Sequence, residues 1–335
     1  MLTFRDYMES SLYSPTEGFY PNRALREDFY TAPELHPAFA ETLAAEIAAR
    51  LLQLEAAAPQ EPLAVVEAGS GSGLLARQIL ESLRRSRPEL LRRTRYVLIE
   101  RVAPLLRESL RQLRADFPEV DGFSSLREIE KFSGVLFSNE LIDAMPVHVL
   151  EKKNGAIHEV YVDLPDAGEP RPIVGKLSRE ELAPAAVAVE AGLPEGGRHS
   201  VNLEISDWYR EAAAVLRRGF MLTIDYGKRF DPSAPNPPRY FYRHTTGSEV
   251  LARAGRQDLT ASVDFAALER EGARRGLRTL QFCSLGQFLL ERGILDQLPS
   301  GPTLEDYRRR NQIKTLFHPE GMGDVFKVLI QEKTP

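Results

Sequence analysis

The stretch VVEAGSGSGLLARQIL, Val65–Leu80, decides the fold. Its first residues are apolar and β-branched, which suits a buried strand. Leu74, Leu75, Ile79 and Leu80 then recur at helical spacing. Between the two lie Gly69, Gly71 and Gly73. Glycines after a strand let the backbone turn and approach a ligand closely, and the start of the following helix offers free N–H groups. Gly71-Ser-Gly-Leu-Leu-Ala76 satisfies the dinucleotide pattern G-x-G-x-x-G/A, whereas no Gly-Lys-Ser/Thr follows and a P-loop is excluded. The turn alone leaves its ligand open.

Outward from that turn, strand and helix patterns alternate. RYVLIE (95–100) and GVLFSNE (134–140) read as strands, and PLLRESLRQLRADF (104–117) as a helix. This order predicts an α/β fold, a mostly parallel sheet with helices on both faces. LHPAFAETLAAEIAARLLQLEAAA (35–58) is a helix placed before it, so residues 1–60 are expected to be a helical cap and 61–335 the sheet domain. HVLEKKNGAIHEVYVDL (148–164) is a hairpin about Asn154-Gly155. It opens an insertion around 147–200, whose Pro- and Gly-rich part, 165–197, reads as a surface excursion. SDWYREAAAVLRR (206–218) is a helix stopped by Gly219, and FMLTIDYG (220–227) a buried strand. SVDFAALEREGARRG (262–276) is a helix with Ser262 as its expected N-cap and Gly276 as its stop. LRTLQFCSL and VFKVLIQE supply the last two strands.

Composition narrows the function. The 335 residues carry a net charge of -5, which argues against a general nucleic-acid binder. The single cysteine, Cys283, excludes an intrachain disulfide and a thiolate zinc site, and reads as a buried small hydrophobe. The six histidines are scattered without H-E-x-x-H, and no metal is expected. MLTFRDYMESSLY lacks the features of a secretory or organelle leader, and no apolar run is long enough to span a bilayer. The expectation is a cytoplasmic protein without membrane insertion.

Two acidic residues discriminate between ligands. Glu67, two residues before the first glycine, suits a pyrophosphate poorly and a ligand with a cationic end well. Glu100, at the end of the second strand, is placed to accept from ribose hydroxyls. An acidic residue, the glycine triplet and an acidic end to the next strand together resemble S-adenosylmethionine-dependent methyltransferases of the Rossmann-like class. SNELIDAMPV (138–147) sharpens this to the MidA-like methyltransferases, a family that includes a mitochondrial complex I assembly factor that methylates an arginine. FRDYMESSLYSPTEGFY (4–20), EDFYTAPELHPAF (27–39), IDYG (224–227), DLTASVDF (258–265) and MGDVFKVL (322–329) resemble further blocks of that family in order. Glu27 departs from the family's usual glycine, and the loop LARAGRQDLT lacks its usual L-x-x-P-G approach.

The resemblance implies a protein arginine methyltransferase with S-adenosylmethionine as cofactor. It implies cofactor contacts from Glu67, Gly69, Gly71, Gly73, Glu100, Arg101 and Asn139, with Thr31, Pro33 and Glu34 folding over the cofactor as a lid. A guanidinium is planar and always charged, so carboxylates are its natural partners. Glu140, Asp143 and Asp225, at or just beyond strand ends, are the candidate catalytic residues. Phe19, Tyr20, Phe29 and Tyr30 read as core rather than as stacking groups, and His244 as a weaker candidate for lining the site. The implied partner is a protein, with a respiratory-complex subunit suggested by the family; an oligomer is left open. Two other readings stay open: an NAD(P)-dependent oxidoreductase built on GSGLLA, and a non-catalytic assembly factor that keeps the cofactor fold.

Overall fold

The structure, a computed structural model, describes residues 1–22, 31–165, 168–231, 234–243 and 245–334. Glu27, Phe29, Tyr30 and His244 lie outside the described residues. Packing divides the chain into two compact units. One comprises Met1–Phe29, Ile142–Trp208 and Lys228–Leu268; the other comprises Tyr30–Leu141, Tyr209–Gly227 and Glu269–Pro335.

The second unit is built on LAVVEA, which forms β1 (Leu63–Ala68) with all six residues buried. It pairs in parallel with β2 (Thr94–Ile99) on one side and β4 (Phe132–Asn139) on the other. From β2 the sheet continues to β3 (Asp121–Phe123), and from β4 to β5 (Leu216–Lys228), both in parallel. β6 (Leu277–Ser284) and β7 (Phe326–Lys333) close the far edge with antiparallel pairs. The order along the sheet is β6-β7-β5-β4-β1-β2-β3. The chain thus moves from β1 toward one edge and then returns past β1 to β4. That reversal makes a crevice outside the carboxyl ends of β1 and β4, where open α/β sheets bind ligands.

Helices α1 (Ala38–Ala57) and α2 (Leu74–Ser86) contribute to the core of this unit. Phe39, Leu43 and Ile47 of α1 join Ile79 of α2 and Val65, Val135 and Leu222 of the sheet in one cluster. Each fully buried aliphatic side chain there contributes about 1.5–3 kcal/mol of transfer free energy. α3 (Ala103–Leu113) follows β2, and its Leu113 belongs to the same core.

The first unit is antiparallel. Ala156–Asp163 pairs with Leu2–Thr3, His148–Lys153 and Arg171–Gly175, and His148–Lys153 pairs with Arg198–Val201. A second small sheet places Arg239–Tyr242 between Thr245–Gly247 and Asp258–Thr260. The Asn154-Gly155 turn has φ of 54° and 76°, the left-handed pair that a tight hairpin needs.

Several boundaries differ from those expected. Residues 1–60 do not pack as one cap. Phe4, Tyr7, Met8 and Leu12 bury against Val149, Val160 and Val162 of the antiparallel unit, whereas α1 buries against the parallel sheet. The stretch 165–197 is more than a loop, since it holds the strand Arg171–Gly175 and the helix Ala183–Glu190. Ser262 is not an N-cap: Val263–Asp264 is a short strand, and the helix starts at Phe265, with Asp264 Oδ1 accepting from Ala266 N at 3.0 Å. Among the described residues no helix is long and apolar enough to cross a membrane, and no cluster of three or more His, Cys, Asp or Glu is arranged to hold a metal.

Candidate functional site

The glycine turn leaves β1 and is fastened to β2. The N–H groups of Gly69 and Ser70 donate to Ile99 O at 2.8 and 3.3 Å, and Gly73 N donates to Ser70 O at 2.8 Å. Gly69, Gly71 and Gly73 all take left-handed φ, 72°, 51° and 75°, which L side chains rarely adopt. Space is also closed: a Cβ at Gly69 would lie 2.9 Å from Leu141 Cδ1, and one at Gly73 2.9 Å from Ser109 Cβ. Ser109 Oγ, on α3, donates to Gly71 O at 2.8 Å. The triplet is therefore needed for conformation as well as for access.

Two buried carboxylates flank this turn and are held differently. Glu67 accepts from the Tyr96 hydroxyl at 2.6 Å. The register pairs Val65 with Tyr96 and Glu67 with Leu98, so Glu67 and Tyr96 share one face of the sheet. Burial, opposed by the Tyr96 bond and helped by the nearby Glu100, pushes the Glu67 carboxyl up to about 8. Glu100 accepts from Gly71 N at 2.9 Å through one oxygen and from Val102 N at 2.8 Å through the other. Burial raises its pKa as well, while those two N–H donors and the charge of Arg101 oppose the rise. Arg101 itself is exposed. Glu100 thus closes the glycine turn, and each of its oxygens retains a lone pair toward a ligand hydroxyl.

The second half of the crevice lies at the end of β4. Asn139 ends the strand, and Glu140 follows with φ 53°, one of the few non-glycine residues in the left-handed region. Glu140 N donates to Ile224 O on β5 at 2.9 Å, and Asn139 Nδ2 donates to Glu140 Oε1 at 3.1 Å. Asp225, fully buried on β5, accepts from Leu141 N at 3.2 Å and from Tyr226 N at 2.9 Å. These bonds fix the backbone just beyond Glu140. Asp143 belongs to the other unit, where its Oδ2 accepts from Thr260 Oγ1 at 2.8 Å.

Thr31 and Glu34 form a capping box on the short helix Ala32–Leu35, with Thr31 N donating to Glu34 Oε2 at 3.1 Å. Pro33 O accepts from Gln78 Nε2 on α2 at 3.1 Å. These bonds fasten the segment to the helix that opens at the glycine turn.

Sequence reasoning missed Tyr96, Ser109 and the serines of the crevice. Tyr96 becomes legible once the β1–β2 register is known; Ser109 depends on the packing of α3. The Oγ atoms of Ser70 and Ser138 and Oδ1 of Asn139 are buried and have no hydrogen-bond partner among the described residues. All three sit at or just beyond the carboxyl ends of β1 and β4. Leaving a buried polar atom unpaired costs about 1–3 kcal/mol, so this crevice is built for a polar ligand.

Comparisons with known proteins identify that ligand. Residues 42–283 match the family described as "Putative S-adenosyl-L-methionine-dependent methyltransferase". The chain is 26% identical to the rat mitochondrial protein arginine methyltransferase NDUFAF7 over 97% of its own length and 79% of that protein. It is 25% identical to the human protein over 80% of its own length and 65% of the relative. A COG1565 superfamily member from Burkholderia thailandensis, solved bound to S-adenosyl-homocysteine, is 29% identical and superposes with a TM-score of 0.83, over 99% of this chain and 88% of that one. A native structure of a COG1565 superfamily protein from the same organism is 30% identical, with a TM-score of 0.82 over 99% and 87%. The residues present suit the cofactor: three glycines bring the backbone close, two carboxylates flank the turn, and three buried oxygens await donors. The orphaned crevice, the glycine turn and the match over most of its length place this chain in the family of S-adenosylmethionine-dependent methyltransferases, with S-adenosylmethionine as its cofactor.

Proposed function

We propose that the chain methylates an arginine of a partner protein, with Glu140 as the carboxylate that holds the guanidinium. The observation that carries this reading is the backbone at Glu140. A non-glycine residue at φ 53° is strained, and such strain persists at functional sites when the surroundings over-determine it. Here the amide bond to Ile224 O, the Asn139 side chain and the Asp225 carboxylate below Leu141 provide that determination. When bound, the cofactor supplies a methyl group already activated on a sulfonium.

The task of the protein is alignment. Glu140 matches a planar cation through two parallel acceptors, which fixes the direction of the attacking nitrogen. It also offers an acceptor for the proton that the nitrogen loses. Asn139 Nδ2 orients one oxygen of Glu140, and Asn139 Oδ1 remains to accept from the cofactor's ammonium group. Glu67, Glu100 and the glycine backbone hold the cofactor in this reading, with Thr31, Pro33 and Glu34 beside α2. The names of the rat and human relatives support arginine as the acceptor, and the family resemblance supports a respiratory-complex subunit as the partner.

The test is Glu140→Gln, which preserves size but removes charge. Labelled methyl transfer in a single turnover to partner protein identified by pull-down and mass spectrometry should slow about 100-fold or more. Affinity for S-adenosylhomocysteine should stay near wild type. Transfer at the wild-type rate would remove Glu140 from this role, and a methyl found on lysine or glutamine would overturn the arginine reading.

A further inference from the structure

Glu67 sits in an apolar frame near the end of β1, and its side chain is buried. The register places Leu98 of β2 on one side of it and Phe137 of β4 on the other. Val65, Tyr96 and Val135 lie two residues back on the same face. Val65, Leu98, Val135 and Phe137 are fully buried. The cluster that contains them draws Phe39, Leu43 and Ile47 from α1 and Ala76 and Ile79 from α2, so this face of the sheet is apolar. Into it the Tyr96 hydroxyl donates, to Glu67 Oε2 at 2.6 Å. The charged groups of the surrounding elements do not supply a cation. Glu100, beyond the end of β2, is itself an acid. Glu46, buried on α1, is tied to Arg50 and Arg292, and Arg77 of α2 is tied to Asp116. Burial is accordingly the largest influence on Glu67; the Tyr96 bond opposes it, and Glu100 adds to it.

A phenol orients a carboxyl group but brings no charge to it. A carboxylate moved out of water without a cation takes up a proton instead. Burial and Glu67 together hold the Tyr96 hydroxyl far above its ordinary range, so Tyr96 stays a donor and the carboxyl is the group that titrates. Glu100 is set up differently, because two backbone N–H groups favour its charged form. Glu67 also stands only two residues before the glycine turn. The orphaned oxygens of Ser70, Ser138 and Asn139 lie at or just beyond the ends of its own strand and the next. The amino-acid end of the cofactor brings an ammonium, a compact cation that suits a carboxylate and not a carboxylic acid.

We propose that Glu67 is a neutral acid in the free protein and releases its proton to solvent when the ammonium of the cofactor binds, so that cofactor is taken up in exchange for a proton. Tyr96 keeps its hydrogen through the exchange and holds the direction of the carboxylate. The proposal rests on the reading above in which Glu67 helps to hold the cofactor, and it adds a dependence on pH. Glu67 titrates near 8 in the free fold. Above that pH the proton has already gone, and binding is tightest. Below it each binding event must expel a proton, so affinity falls by up to about tenfold for each pH unit.

The experiment is calorimetric titration of the full chain with S-adenosylhomocysteine, which carries the same ammonium. Titrations at about pH 6.5 in two buffers of different ionisation enthalpy count the protons released. Wild type should release about one proton for each cofactor bound, and its Kd should fall about 5- to 10-fold between about pH 6 and about pH 7. Glu67→Gln is neutral at every pH; it should release no proton, and its Kd should stay constant over the same interval. Tyr96→Phe removes the donor that favours the carboxylate, so it should bind more weakly than wild type at about pH 7 and keep the pH slope. Circular dichroism checks that each variant is folded. Binding by wild type without proton release overturns the exchange. So does proton release that persists in Glu67→Gln, which would assign the proton to Glu100. Failure of the underlying reading shows differently, as equal affinity of wild type and Glu67→Gln at every pH.

Discussion

Two neighbouring strands end in the same backbone conformation and reach it by opposite means. β1 and β4 lie side by side, with Ala68 opposite Ser138. Beyond β1 the chain enters left-handed φ at Gly69, 72°, and beyond β4 at Glu140, 53°. Glycine takes that conformation without steric cost, whereas a residue with a Cβ loses about 1–2 kcal/mol. After β1 the useful surface is the backbone itself, and side chains are kept off it. After β4 the useful group is a side chain, and it is retained in spite of the strain. In the proposed reading, one turn serves close approach to the cofactor and the other presents a charge.

The largest effect should come from breaking the first turn. Gly71→Val places a β-branched residue at φ 51°, where such residues are outliers. It also displaces the amide that donates to Glu100. Calorimetric titration with S-adenosylhomocysteine should show no measurable binding by a protein that remains folded by circular dichroism. Normal affinity would mean that the backbone of this turn is not the binding surface.

A second test asks whether the carboxyl on the glycine side is a charge at all. Glu67 titrates near 8 in the fold against about 4.5 when unfolded. Below pH 4.5 both states are protonated, and the shift has no effect. As pH rises from 4.5 toward 8, the unfolded chain releases a proton that the fold retains, so stability falls. Above 8 the loss levels off, at a size on the order of 5 kcal/mol. Glu67→Gln removes this dependence. Denaturant unfolding at several pH values should show the variant gaining on wild type steadily between pH 4.5 and 8. Parallel curves would mean that Glu67 ionises normally.

The third concerns Glu100. Removing it leaves Gly71 N and Val102 N without their acceptor and, in the proposed reading, deprives the cofactor of a ribose partner. Glu100→Ala should weaken S-adenosylhomocysteine binding by about 1–3 kcal/mol. Equal affinity in the same titration would leave Glu100 with no part in binding.

The two units were unequally legible in the sequence, and the physical reason is range. β1 and α2 have the boundaries that LAVVEA and LLARQILESLRRS suggest, because each carries a strong local periodicity. The glycine turn and the two acids beside it belong to the same local pattern. The antiparallel unit is held by strands of two to eight residues paired across long separations, such as Leu2 with Val162. Asp143 meets Thr260, 117 residues away, and nothing near either residue announces the contact. The helix Ala183–Glu190, APAAVAVE, is apolar on every side and shows no amphipathic period, so it was hidden within a Pro- and Gly-rich stretch. Asp264 rather than Ser262 caps the following helix because a short strand intervenes, which a capping pattern alone does not reveal.

The smallest expected effect is the one that isolates the strain at Glu140. Glu140→Ala and Glu140→Gly both delete the carboxylate, so both should lose methyl transfer. They differ in the backbone. Alanine keeps the Cβ that makes φ 53° costly, while glycine removes it. Against this, glycine gains more freedom in the unfolded chain, which costs about 0.5–1 kcal/mol. Relief of about 1–2 kcal/mol of left-handed strain should exceed that cost. Glu140→Gly should therefore be more stable than Glu140→Ala by about 0.5–1 kcal/mol, the reverse of the order found at ordinary positions. Urea unfolding of the two variants, run in parallel, reads this difference directly. Alanine proving the more stable of the two would show that the loop relaxes without strain, and the contrast between the turns would then lie in the side chains alone.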